Sequence, residues 1–168
     1  MKNSELAFHR GVLISHFSRI EILINSLISQ HYLKKVSFDF IINVLGNEQV
    51  TFAFRRDILK HIKNLKDNDE LIHNLRKLCL IRNIFAHQME TIKEKPWIDS
   101  EPYFKNPKYP QQKNKEFSAQ ELYDEFMQKY PLVVKILFDY LTASGVTLSN
   151  MPDQPSNLDK HGMEIKTN

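Results

Sequence analysis

Three residues stand out for their types and spacing: Arg82, Asn83 and His87, within Leu78-Cys79-Leu80-Ile81-Arg82-Asn83-Ile84-Phe85-Ala86-His87. If this stretch is helical, Asn83 and His87 lie about 40° apart on the helix wheel and Arg82 and His87 about 140° apart. Asn83 is then placed to orient the imidazole, while Arg82 must bring its guanidinium round on its long stem. The chemistry such a set supports is phosphodiester cleavage in RNA, where the 2′-hydroxyl is an internal nucleophile. A histidine near neutral pKa can take or give the proton, and an arginine can clamp the phosphate as charge builds on its oxygens. One Arg and one His make a thin acid–base set, and two subunits meeting along this helix would double it.

The element that must position these residues is a long helix. Leu71, Leu75, Leu78, Arg82, Phe85 and Met89 recur at spacings of four, three, four, three and four, so Arg82 sits on the apolar stripe itself. Asp67-Asn68-Asp69-Glu70 supplies its acidic start. A charged side chain inside such a stripe requires a partner, a cleft or a second subunit. Glu21 and Asn25 occupy a comparable point of another predicted helix, Leu6 to Leu33, whose apolar stripe is Leu6, Leu13, Phe17, Ile20, Ile24 and Leu27. An Arg82–Glu21 pair, with Asn83 and Asn25 satisfying leftover groups, is therefore the purely structural alternative. It accounts for Arg82 and explains His87 less well, since a bundle has no need for an imidazole at that spacing.

Further elements follow from the same patterns. Ser37 to Leu45 reads as a short helix capped by Ser37 and stopped at Gly46. Val50 to Leu65 reads as a helix with Phe54, Ile58, Ile62 and Leu65 inward. Its cations, Arg55, Arg56, Lys60, Lys63 and Lys66, face outward against the single acid Asp57, a stripe suited to an RNA backbone or simply to solvent. Residues 91 to 117, punctuated by Pro96, Pro102, Pro107 and Pro110, read as a long loop without regular structure. It carries Trp97, Tyr103, Phe104 and Tyr109 beside Lys105 and Lys108, rings that either stack nucleobases or anchor the loop to the bundle. Ser118-Ala119-Gln120-Glu121 is a capping box, with Phe117 and Leu122 as its hydrophobic staple. The last helix then runs to about Leu141, with a kink expected at Pro131 and an end at Gly145. Beyond Ser149 a disordered tail is expected.

Composition sets the frame. With 168 residues, 42% apolar and 26% charged, one domain of about 1–148 with a single core is expected. Four glycines cannot build a Gly-rich phosphate loop or a turn-dense β-sandwich. One cysteine, Cys79, excludes an intramolecular disulfide and any multi-cysteine metal site, and reads as a core residue in a reducing, cytoplasmic setting. Residues 1–95 hold 15 Lys/Arg against 10 Asp/Glu and residues 96–168 hold 8 against 10, so the positive excess is N-terminal. No uninterrupted apolar signal segment opens the chain, and Ile22 to Leu33 is too short and polar to span a bilayer. The fold class expected is all-α, a bundle of about four to five helices. No cofactor, metal or membrane is called for, and no short helix-turn-helix signature points to DNA.

Arg82-Asn83-Ile84-Phe85-Ala86-His87 resembles the Arg-x4–6-His motif of HEPN domains, in the Arg-Asn-x-x-Ala-His form of the mannitol operon repressor group and related bacterial proteins. As an order of helices the resemblance covers roughly residues 6 to 142, and only the six-residue motif is diagnostic. It implies an all-α bundle that commonly dimerises with its motif helices facing each other. It also implies, in many members, a metal-independent ribonuclease of toxin–antitoxin or phage-defence type, with an antitoxin or regulatory partner. By position, Arg82 would be the phosphate clamp, His87 the proton-transfer residue and Asn83 the polar residue beside them. Other members, the mannitol repressor group among them, are regulators or binding modules without demonstrated catalysis. The Pro-rich 91–117 segment is not part of the shared pattern.

Overall fold

The computed structural model describes residues 1–63, 65–87, 91–92, 99–105 and 116–146. Among these residues it is a helical bundle of five α-helices: α1 (Leu6–Leu33), α2 (Phe38–Phe40), α3 (Phe52–Leu59), α4 (Asp69–His87) and α5 (Ala119–Ala143). A π-helical turn, Ile41–Leu45, extends α2.

Helix α1 has the bounds its pattern predicts. Its stripe Leu6, Leu13, Phe17, Ile20, Ile24 and Leu27 is buried against α3, α4 and α5. With the preceding turn it is also, among the described helices, the one long and apolar enough to cross a membrane by length and composition. That differs from the sequence reading, which took only Ile22 to Leu33. Here the helix forms the centre of the bundle. It ends on Lys34, whose left-handed backbone (φ 59°) lets its N–H reach the Gln30 carbonyl at 3.0 Å.

Ser37 caps α2 by accepting from the Phe40 N–H, and Asn68 caps α4 by accepting from the Leu71 N–H at 2.9 Å. The capping box of α5 is formed: the Ser118 hydroxyl accepts from the Glu121 N–H and the Glu121 carboxylate accepts from the Ser118 N–H. The same hydroxyl donates to Glu101. Helix α5 runs on through Pro131 and ends before Gly145, whose φ of 83° closes the turn.

Two expectations are corrected. The predicted Val50–Leu65 helix is α-helical only as α3. Beyond Leu59 the chain winds by three-residue hydrogen bonds, with the Ile62 N–H on the Leu59 carbonyl and the Leu65 N–H on the Ile62 carbonyl. Three residues per turn keeps Leu59, Ile62 and Leu65 on one side, and all three are buried. Phe52 rather than Phe54 faces inward. The two lie about 200° apart on the helix, and Phe54 is 57% exposed.

The second correction concerns 91–117. Within it, β1 (Thr91–Ile92), β2 (Pro102–Lys105) and β3 (Glu116–Ser118) form a three-stranded antiparallel sheet in the order β1-β2-β3. Tyr103 pairs with both Thr91 and Ser118. Pro102 is the first residue of β2, where its missing N–H costs least. Phe104 is fully buried, 5.1 Å from the Phe85 ring, with the Arg10 guanidinium 5.9 Å from its centroid. Phe104 is thus an anchor onto α1 and α4 rather than a base-stacking ring. Trp97, Lys108, Tyr109 and the tail beyond Ser149 lie outside the described residues.

Candidate functional site

The site is built on α1, α3 and α4. Glu21 of α1 is its electrostatic pivot. Its Oε1 lies 2.8 Å from Arg55 Nη2 and 3.9 Å from Arg82 Nη2, and Arg55 Nη1 donates to Asn25 Oδ1 at 3.3 Å. The Glu21 and Arg82 side chains are each 24% exposed and Arg55 is 13% exposed. The Arg82 guanidinium lies 4.6 Å from the Phe17 ring centroid, a cation–π contact on a ring that itself packs on Phe52 at 4.8 Å.

This arrangement revises the expected pairing. Glu21 does tie α1 to α4 through Arg82, but the hydrogen-bonded partner is Arg55. Arg55 therefore points into the bundle, contrary to its expected place on an outward RNA-binding stripe. Asn25 serves Arg55 and not Arg82. Two guanidinium groups share one carboxylate, so the second positive charge is only partly answered and faces outward.

It faces a cleft of about 470 Å³ between the start of α3 and the middle of α4. The lining is Thr51, Phe52, Ala53 and Arg56 from the α3 side and Arg76, Cys79, Leu80, Arg82 and Asn83 from α4. Among the described residues its lining contains three arginines and no carboxylate. Arg76, Leu80 and Asn83 recur at spacings of four and three, so one α4 face forms one wall. Arg56 stands one turn from Phe52 and Ala53 on α3 and completes the other. Arg76 was missed in the sequence reading, although its seven-residue spacing from Asn83 could have placed it there.

The α3 N-terminus also opens here. Thr51 Oγ1 accepts from the Phe54 N–H at 3.2 Å, and the first-turn N–H groups and the helix dipole add positive potential at that wall. Arg56 and Lys60 both contact Asp57, at 3.3 and 2.7 Å. Lys60 first, then Arg56, holds the Asp57 carboxyl below its ordinary range. The Nε atoms of Arg55 and Arg56 are buried without a hydrogen-bond partner. Lys63 is exposed beyond the end of α3, outside the cleft lining.

His87 is not brought to this cleft. It is exposed in the last turn of α4 and absent from the cleft lining. Nor does Asn83 orient it: the Asn83 amide lies 3.9 Å from Cys79 Sγ, one turn back. The roughly 140° between Arg82 and His87 keeps them on different faces of one chain. Cys79 is half-buried in the cleft wall. Among the described residues no group of three or more His, Cys, Asp or Glu side chains is arranged to hold a metal ion.

Comparison with protein-family models, with curated proteins and with solved structures gives no match to this chain.

Proposed function

We propose that the protein is a cytoplasmic, HEPN-like RNA-acting protein. The reading rests on one observation: Arg82 and Asn83 of the Arg-Asn-x-x-Ala-His motif open onto a concave surface shared with Arg56 and Arg76 and lined, among the described residues, by no carboxylate. Guanidinium forks are suited to phosphate oxygens, geometrically and electrostatically. Arg82 is the clamp, and its Glu21 and Phe17 contacts hold the fork in place without neutralising it.

Catalysis in this reading requires a homodimer. His87 lies outside the cleft of its own chain, so a second copy would bring its own His87 to the phosphate held by Arg82. The 2′-hydroxyl oxygen then attacks phosphorus as its proton passes to a base. The 5′-oxygen leaves with a proton supplied by an acid, and a 2′,3′-cyclic phosphate forms. His87 fills one of these two roles. Such an enzyme is a metal-independent endoribonuclease of toxin–antitoxin or phage-defence type, held in check by an antitoxin or regulatory protein.

A second reading, a non-catalytic regulatory module resembling the mannitol operon repressor group, is favoured by the Arg55–Glu21–Arg82 tie. That tie gives Arg82 a structural duty of its own.

Incubating purified protein with a mixed RNA pool in EDTA separates the two. The first reading predicts cleavage with cyclic-phosphate ends, abolished in His87→Ala with melting unchanged, because an exposed side chain contributes little to stability. Intact RNA across a range of salt and pH favours the regulatory reading.

A further inference from the structure

Around the cleft, Arg55, Arg56, Lys60, Arg76 and Arg82 are five cations, and among the described residues Glu21 and Asp57 are the two carboxylates that contact any of them. Five against two leaves three positive charges, and all three lining arginines belong to one concave surface. An internal phosphodiester carries one negative charge and two free oxygens. A phosphate monoester carries nearly two charges near neutral pH and three terminal oxygens. Arg56, Arg76, Arg82, Asn83 and the start of α3 all line the cleft; Arg56 also contacts Asp57, Arg82 lies near Glu21 and the Asn83 amide near Cys79, while Arg76 has no ion pair among the described residues. Three guanidinium groups on one concave surface match the greater charge and the third oxygen of a monoester better than a diester. A volume of about 470 Å³ also suits a nucleotide-sized group seated end-on.

We propose that this cleft is a terminal-phosphate site, which captures the phosphate monoester at an RNA end or on a mononucleotide in preference to the internal backbone. The inference rests on the RNA reading for its polymer ligand, and on the cleft alone for its phosphate. Arg76 and the start of α3 are the parts that distinguish the two ligand types, because Arg82 and Asn83 would serve either. Exposed Arg76 is held by no ion pair among the described residues and is free to close on a terminal oxygen.

The test is titration calorimetry with a short, uncleavable 2′-O-methyl oligoribonucleotide carrying a 5′-phosphate, a 3′-phosphate or hydroxyls at both ends. A nucleoside monophosphate and inorganic phosphate are titrated alongside. Two variants accompany the wild type. Arg76→Ala removes an exposed donor. Ala53→Asp puts a carboxylate in the cleft wall at the start of α3, where an acid favours the helix dipole, so a folding defect is not expected and a melting curve verifies it.

One phosphorylated end should bind about tenfold tighter than the hydroxyl-ended strand, and both variants should erase most of that preference. The arm that gains identifies the 5′ end, the 3′ end or the free nucleotide as the source. Equal affinity for all three strands overturns the proposal while leaving RNA binding intact, and so does a preference that survives Ala53→Asp. Binding of the monophosphate without any strand upholds the phosphate site and removes the RNA reading. No binding by any probe overturns both.

Discussion

Helix α1 makes two interfaces of opposite kinds. Toward α5 it presents His9 and His16, seven residues apart, against Tyr123 and Tyr130, also seven apart. The ring centroids are 4.5 and 4.4 Å apart, and His16 stacks nearly parallel to Tyr130. Toward α3 and α4 it presents Glu21 and Asn25 against Arg55 and Arg82. The first interface pairs ring with ring at positions two turns apart. The second sets two cations on one carboxylate and opens onto the arginine-lined cleft. If both interfaces served only to hold the bundle, one arginine opposite Glu21 would suffice. The surplus charge on the α3–α4 side distinguishes a surface that can receive an anion from one built of ring contacts.

Phe17 underlies the charged side of that contrast, buried against Phe52 with the Arg82 guanidinium over its ring. Phe17→Ala should have the largest effect, a loss of about 4 kcal/mol in denaturant unfolding, together with weaker binding because Arg82 loses its platform. Glu21→Gln should cost about 2 kcal/mol, since Arg55 keeps only a neutral acceptor. If the cleft binds anions, the same variant should bind RNA no more weakly than wild type. A purely structural Glu21 would show the stability loss and no RNA binding in either protein.

The aromatic side gives the smallest effect. Burial first, then Arg19, lowers the His16 pKa from its ordinary value of about 6.5, so the unfolded chain binds more protons in the acid range. Stability from this group is present above pH 6.5 and declines as pH falls through that value toward the lower folded-state pKa. His16→Phe, which keeps the stack on Tyr130, should remove a melting loss of under about 3 °C between pH 7 and 5.

Local signals carried the elements they encode. The spacing of Leu6 to Leu27 set α1, and Ser118 with Glu121 set the start of α5, because a helix stripe and a capping box involve residues within a few positions of each other. The sheet was not legible, since Tyr103 pairs with Thr91 and Ser118, across proline-rich chain that reads as breaks. At the site, Arg82 and Glu21 were legible as polar points on apolar stripes. Which arginine would claim Glu21 was not, because Arg55 and Arg56 differ by only about 100° on a helix whose phase was misread by taking Phe54 as inward. Arg76 was legible only as a residue on the Asn83 face, seven positions back; that this face lines a cleft follows only when the α3 N-terminus forms the opposite wall.

The central claim is that the α3–α4 cleft is a phosphate-binding surface, and the most direct test is RNA affinity as a function of salt for wild type and Arg76→Ala. Three arginines on the phosphates of an end-phosphorylated single strand predict a log–log slope of about −2, and removing one predicts a slope shallower by about 0.7 at unchanged melting temperature. Affinity and slope that are the same in Arg76→Ala as in wild type, or no RNA binding at low salt, would contradict the account.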